Sequence, residues 1–182
     1  MKDRQPKHRQ AARERARLDR WAASRAGLPT ALIVCEGRCT EPYYLGGLLE
    51  HLGVNAANAH IQTGSYKTDA LSLVRDARAR FRSTPEYDHV FVVLDGDQAH
   101  LNEARREAGK GMAKAGGGRV TVELIVTSPC FEYWLLLHFE YTTRGLRSVE
   151  AVRALEAHLT DYEKGDREIF AKVSGGLPWA KW

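Results

Sequence analysis

Several features that define large classes of protein are missing from this sequence. Only three of its 182 residues are cysteine, at positions 35, 39 and 130, and an odd, small number argues against a disulfide framework. No apolar run approaches the roughly 18 residues of a membrane span. The charged N-terminus MKDRQPKHRQ lacks the apolar segment of a secretory signal. Together these absences predict a cytoplasmic protein in a reducing compartment, with no membrane association.

Acidic residues are scarce at one end of the chain. Residues 1–29 contain nine lysines and arginines but three acids, a net charge of +6, whereas the whole chain carries +4. The remainder is therefore slightly acidic. A basic arm on an acidic body suggests an anionic partner such as nucleic acid, although a solvated leader would have the same composition.

From residue 30 onward, short apolar runs alternate with amphipathic segments, and there are no internal repeats. This pattern predicts βαβ units and an α/β fold with a mainly parallel four-stranded sheet, helices on both faces and strand order 2-1-3-4. The glycines at 116–118 and the tail from Asp161 read as linkers. The predicted strands are 31–35, 60–63, 89–94 and 119–127, and the predicted helices are 40–52, 67–81, 99–115, 128–141 and 148–159. We expect the helix over 99–115 to be broken near Gly109 and Gly111.

Acidic residues follow the predicted strands at the points where the strands end. Glu36 comes directly after the first strand, and Asp95 and Asp97 follow the third. Strands 1 and 3 are neighbours in the predicted order, so these carboxylates meet at the switch point where α/β proteins bind ligands. Glu132 falls in the first turn of the next helix, whose N-cap we expect at Ser128.

Carboxylates this close repel one another unless a cation lies between them. Hard oxygen ligands suit Mg²⁺ or Mn²⁺, which polarises a phosphodiester. The alternative is structural: Asp97 caps the helix near Ala99, and Asp95 binds loop amides.

Three further polar residues are candidates for substrate contact. Arg38 and Lys67 are placed to bind phosphate, although both are also ordinary solvated charges. His138 lies on the apolar helix, where a histidine is more often a core residue than a ligand. Glu41 is expected to stabilise the N-terminus of its own helix rather than to bind metal, and we interpret the cysteines as small apolar fillers.

Three blocks of sequence carry a resemblance. LIVCEGRCTEPYY with FVVLDGDQ resembles the Toprim (topoisomerase–primase) domain, which has a glutamate after its first strand and an Asp-x-Asp after its third. The same blocks with SPCFEYWLLLHF resemble the RloB-like family of bacterial Toprim-type proteins, found beside ATPases in restriction and phage-defence loci. The resemblance covers about residues 30–167.

The resemblance implies a Toprim-like domain over residues 30–182 and a metal-dependent nuclease. It assigns the general acid/base role to Glu36, metal binding to Asp95 and Asp97, and a further metal ligand to Glu132. It also implies a short, truncated C-terminal tail. Topoisomerases take their nucleophile from another domain, so water is the expected nucleophile here. The alternatives are a non-catalytic nucleic-acid-binding subunit that works with an ATPase partner, and nucleotidyl transfer.

We expect deletion of residues 1–25 to weaken nucleic-acid affinity and to flatten its dependence on salt. The log–log salt slope falls by about one unit for each phosphate that the protein no longer neutralises. Binding titrations at several salt concentrations measure that slope, and an unchanged slope would give the arm another role.

Overall fold

A computed structural model describes residues 29–64 and 69–176. The predicted basic arm up to residue 28, the segment 65–68 that contains Lys67, and the final segment 177–182 lie outside the described residues. The predictions for the arm and for Lys67 therefore stay predictions.

The centre of the fold is a parallel four-stranded sheet. The order β2-β1-β3-β6 confirms the predicted order, with β6 as the fourth predicted strand. The register pairs Cys35 with Val93 and Asp95 with Thr127, so the carboxyl ends of three strands meet at one edge. The strands are β1 (Ala31–Cys35), β2 (Ala59–Thr63), β3 (His89–Asp95), β4 (Met112–Ala113), β5 (Arg119–Val120) and β6 (Val122–Thr127).

Helices cover both faces of the sheet, because each strand sends alternate apolar side chains to opposite sides. The core of one face contains α2 and α3, and that of the other contains α1, α4, α5 and α6. No described helix combines the length and the apolar character of a membrane span. The helices are α1 (Thr40–His51), α2 (Ala70–Ser83), α3 (Leu101–Ala108), α4 (Phe131–Leu136), α5 (Ser148–His158) and α6 (Ile169–Val173).

The predicted helix over residues 99–115 ends near Gly109, where its break was expected, and the prediction of helix is wrong beyond that point. α3 ends at Ala108, and the chain then forms the antiparallel hairpin β4–β5. The three glycines 116–118 all have positive φ, between 80° and 101°, a conformation that glycine adopts without steric cost. They turn the chain back at the hairpin tip. The predicted strand over 119–127 is consequently divided between β5 and β6, which belong to different sheets.

The predicted helix over residues 128–141 is shorter than expected. α4 spans Phe131–Leu136 with Cys130 as its N-cap, and a cis peptide bond joins Ser128 and Pro129 before it. The N-cap therefore lies two residues later than the one expected at Ser128. At the other end, the His138 amide bonds to the Leu135 carbonyl and the Phe139 amide to the Leu136 carbonyl. These tight turns end the helix.

The described part of the predicted linker-like tail, residues 161–176, is packed structure and not a linker. α6 carries Ile169, Phe170 and Val173, which are all buried, and it packs on α1. The ring of Phe170 lies edge-on to Tyr44 of α1, with centroids 5.6 Å apart. The apolar positions of IFAKV fall on one side of a single helical turn, which is too short a pattern to stand out in sequence.

Two adjacent glycines of α1 test this packing. A Cβ on Gly47 would lie 2.5 Å from the Phe170 Cβ, whereas a Cβ on Gly46 meets nothing within 4 Å. We expect Gly47→Ala to destabilise the protein by about 1–3 kcal/mol through overpacking. Gly46→Ala, the matched control, should stabilise it by about 0.5–1 kcal/mol through helix propensity. Chemical denaturation measures both, and equal effects would show that α6 does not pack on Gly47.

Candidate functional site

Glu36 lies at the carboxyl edge of the sheet, where the hydrogen-bond ladder continues one residue past β1. Its amide donates to the Val93 carbonyl at 2.9 Å. Its carboxylate accepts from the Asp95 amide at 3.0 Å and from the Gln98 side chain at 2.6 Å. Burial, followed by the nearby carboxylates of Glu41 and Asp97, raises the pKa of Glu36 above its usual value, against the opposing effect of the Asp95 amide. These contacts hold the Glu36 side chain in place, and its raised pKa favours the protonated form more than in a free glutamate.

Asp95 ends β3 directly opposite Thr127 of β6. The Thr127 hydroxyl donates to the Asp95 carboxylate at 3.0 Å. Burial, with the carboxylates of Glu36, Glu41 and Glu132, raises the pKa of Asp95 to about 7 against the opposing Thr127 hydrogen bond. The predicted meeting of Glu36 and Asp95 at the switch point is therefore observed. The neighbouring carboxylates make ionisation of Asp95 less favourable.

Glu132 joins this edge from the first turn of α4, with 4% of its surface exposed. Its carboxylate accepts a hydrogen bond from the Tyr162 hydroxyl at 3.1 Å and lies 3.4 Å from the Lys164 ammonium. Burial alone would raise the pKa of Glu132, but its backbone, the Cys130 thiol, Lys164 and Tyr162 together lower it. Glu132 is therefore charged.

Glu41 also lies at this edge, although the sequence indicated for it only the role of stabilising its own helix. It lies in the first turn of α1, as expected, but only 8% of its surface is exposed. Burial and the charge of Glu132 raise its pKa. A Cβ on Gly37 would lie 1.9 Å from the Glu41 carboxylate, so the glycine after Glu36 makes room for a second glutamate. A glycine four residues before Glu41 was the sequence feature that could have indicated this position.

Asp97 and Arg38 lie at the exposed rim of this edge. The Ser148 hydroxyl at the start of α5 lies 3.4 Å from the Asp97 carboxylate. α3 begins at Leu101 with His100 as its N-cap and no side-chain cap, so Asp97 does not have the structural role considered as the alternative. Arg38 follows Glu36 in the loop before α1.

The loop between α5 and α6, residues 159–168, supplies two site residues that the sequence did not indicate. It brings Tyr162 and Lys164 to Glu132, and the Gly165 amide donates to the Thr40 hydroxyl at 3.1 Å. The charge of Glu132 raises the pKa of Lys164, as do those of Glu41 and Asp95. Neither residue belongs to a periodic pattern, which explains why both were missed.

His138 lies in the core and not at the acidic edge. Its Nε2 is 2.9 Å from the Tyr44 hydroxyl, and 5% of the residue is exposed. Burial lowers the pKa of His138, while a hydrogen bond to the Val173 backbone opposes the shift. The ring is therefore neutral and links α1, α4 and α6.

A cleft of about 430 Å³ opens beside the acidic edge, and Asp95, Asp97, Glu132 and Lys164 line one side of it. Across residues 29–64 and 69–176, no three His, Cys, Asp or Glu side chains converge to enclose a metal ion. The acidic groups are instead bound by neighbouring donors, as described for Glu36, Asp95 and Glu132.

Comparison with known proteins assigns the family. The sequence matches the family of RloB-like proteins over residues 31–175. The protein belongs to the RloB-like family. That span contains β1, β3 and α4 and hence every carboxylate of the site. No curated protein and no solved structure matches this RloB-like chain significantly.

The His138–Tyr44 pair generates a prediction for this RloB-like protein. We expect His138→Ala to lower the free energy of unfolding by about 1–3 kcal/mol, because it leaves the buried Tyr44 hydroxyl without its ring acceptor. His89→Ala, at a histidine whose side chain is 50% exposed, is the control and should change little. Thermal melts distinguish a structural role of His138 from a role in substrate binding. Normal stability together with abolished nucleic-acid binding in His138→Ala would instead make His138 the substrate contact that the sequence analysis also considered.

Proposed function

We propose that this RloB-like protein is a metal-dependent nuclease of a bacterial restriction or phage-defence system that hydrolyses phosphodiester bonds in nucleic acid. The observation that carries the proposal is the convergence of Glu36, Glu41, Asp95 and Glu132 from four different parts of the fold on one edge of the sheet. The charges of the three glutamates raise the pKa of Asp95, and that of Glu41 also raises the pKa of Glu36, so the four form one electrostatic unit. The resemblance of the same region to the Toprim pattern supports the assignment.

The donor set fits Mg²⁺ or Mn²⁺. All four groups are hard oxygen ligands, and buried like charges favour a cation between them. Mg²⁺ keeps several waters and usually takes only one or two carboxylates, so a closed cage of three side chains is not required. The predicted ligands are Asp95, Asp97, Glu132 and Glu36, of which one or two would hold the ion directly while water would complete its coordination. When bound, it supplies positive charge that polarises the phosphodiester and stabilises the attacking and leaving oxygens.

Glu36 is the proton-transfer residue of the proposal. Water attacks phosphorus, the bond from phosphorus to the leaving sugar oxygen breaks, and Glu36 accepts the proton that the water gives up. The leaving oxygen takes its proton from solvent. Burial raises the pKa of Glu36 above its usual value, and a carboxylate with a higher pKa is a stronger general base.

Cationic side chains bind the phosphates in this proposal. Lys164 is largely exposed beyond its contact with Glu132 and lines the cleft, so its ammonium can turn toward a phosphate oxygen. Arg38 at the rim, Lys67 and the basic arm of residues 1–29 provide further contacts along the backbone.

A second candidate is a non-catalytic nucleic-acid-binding subunit that acts with an ATPase partner. The observation that favours it is the set of internal hydrogen bonds on Glu36, Asp95 and Glu132, which occupy the carboxylates in the isolated chain. In this case the isolated protein binds nucleic acid and does not cut it.

Cleavage assays with purified protein test the proposal. We expect Mg²⁺-dependent cleavage that EDTA abolishes and that Glu36→Gln reduces by about 10²–10⁴-fold, since the amide cannot accept the proton. Asp95→Asn and Glu132→Ala should remove cleavage and weaken Mn²⁺ binding in calorimetry. Asp95→Asn should also melt no lower than wild type without metal, because it relieves repulsion.

The matched control is Glu140→Ala, which removes a glutamate that pairs with Arg144 and does not line the cleft. It should cut like wild type. Full activity in Glu36→Gln, or equal Mn²⁺ binding in wild type and Asp95→Asn, contradicts the assignment. Binding without cleavage in every metal tested favours the second candidate.

A further inference from the structure

The cleft at the acidic edge has a second wall, whose residues have no role in the proposed hydrolysis. α5 forms this wall with Val149, Val152, Arg153 and Glu156. These positions are spaced i, i+3, i+4 and i+7, so they occupy one face of the helix. Another side of α5 carries Ala151 and Leu155, both completely buried. One face of α5 is therefore buried in the protein, and a different face lines the cleft.

Contacts at the first residue of α5 fix the wall relative to the acidic edge. The Ser148 hydroxyl lies 3.4 Å from the Asp97 carboxylate, and the Ser148 carbonyl lies 3.9 Å from the Cys130 sulfur. Cys130 is the N-cap of α4, two residues before Glu132. The distance across the cleft is thus set by the same elements that place the carboxylates.

Val149 is unusual because 62% of its surface is exposed beside a cluster of charges. It does not contribute to either described core cluster. With Val152 it provides an apolar patch inside a cleft whose volume, about 430 Å³, lies in the range of small-molecule sites. In the proposed function a phosphate binds at the acidic edge, and the apolar patch faces that edge. Such a site suits a ligand that has one charged end and one uncharged end.

Charge determines which nucleic acid fits. The cleft is lined by four acids, Asp95, Asp97, Glu132 and Glu156, and by two bases, Arg153 and Lys164. With a cation bound, this lining accommodates the one phosphate that reacts. The second backbone of a duplex would bring further negative charge toward the remaining carboxylates, where it is repelled.

We infer that the cleft takes a single unpaired nucleotide, and hence that the substrate is a single-stranded or looped segment of nucleic acid. The inference rests on the proposed function and specifies its substrate class. The reacting phosphate lies at the acidic edge, and the uncharged base and sugar pack on Val149 and Val152. Unpaired bases are recognised by stacking on aromatic side chains or arginine guanidinium planes and by hydrogen bonds to their edges. The described residues that line this cleft include Arg153 but no aromatic side chain, so the guanidinium and the two valines are the available packing surface. Arg153 and Glu156 supply a donor and an acceptor for the base edge on the same helix face.

The test compares one sequence as a labelled single strand, as a hairpin with that sequence in its loop, and as a duplex. Cleavage rates are measured with Mg²⁺ for wild type, Val149→Asp and Arg153→Ala. Binding is measured by fluorescence anisotropy in the Glu36→Gln background, where the strand stays intact. Leu52→Asp is the matched control, since Leu52 is an apolar residue with 60% exposure that follows α1 and does not line the cleft.

We expect wild type to cut the single strand and the loop at least about tenfold faster than the duplex. Val149→Asp should weaken binding of the single strand by about tenfold, because a charged group would replace the apolar surface on which the base packs. Leu52→Asp should behave like wild type. Arg153→Ala, at an exposed position that folding does not need, should change which base is preferred at the cut.

Two results overturn the inference alone: equal cleavage of duplex and single strand by wild type, or unchanged binding in both Val149→Asp and Arg153→Ala. Failure of wild type to bind or cut any nucleic acid, with any of the metals, overturns the proposed function and this inference together. The two failures are therefore distinguishable in a single set of assays.

Discussion

Repulsion between carboxylates at one edge of the sheet is the constraint on which the site depends. Parallel strands deliver their carboxyl ends to the same edge, so Glu36 and Asp95 are neighbours as soon as β1 pairs with β3. Burial then makes their charges costly, and the raised pKa of Asp95, about 7, records that cost. Three polar contacts offset the cost of these buried charges: Thr127 donates to Asp95, Gln98 donates to Glu36, and Lys164 faces Glu132.

The apolar structure is arranged to hold this edge rigid. Tyr44, His138 and Phe170 form a cluster of edge-on rings that joins α1, α4 and α6 beneath the site. Because α1 carries Glu41 and α4 carries Glu132, this cluster fixes the separation of two carboxylates that are distant in sequence. Stability and site geometry therefore share the same contacts. A substitution in this cluster acts on the acidic edge even though none of its three rings belongs to that edge.

The sheet and its order were predictable because they rest on strong local signals. The runs ALIVC and HVFVVL are buried strands in any α/β arrangement, and Glu36 and Asp95 follow them directly. The hairpin β4–β5 was not predictable from periodicity, because the residues before it continue a helical pattern until the glycines at 116–118 reverse the chain. The position of Glu41 at the edge was not predicted because a glutamate in a first turn usually stabilises its own helix, and only the tertiary fold buries it beside Glu132. Tyr162 and Lys164 lie in an irregular loop, where position depends on long-range contacts such as the Gly165–Thr40 hydrogen bond.

That hydrogen bond joins residues 125 positions apart in the chain, and it has a consequence for the order in which the protein is completed during synthesis. The four carboxylates all precede residue 133, whereas their lysine counter-charge and its anchoring glycine follow more than thirty residues later. A nascent chain that has released only its first 140 or so residues carries the full negative charge of the site without Lys164. Until residue 164 has been made, the carboxylates lack this counter-charge, so their mutual repulsion opposes assembly of the acidic edge most strongly before the loop of residues 159–168 is complete.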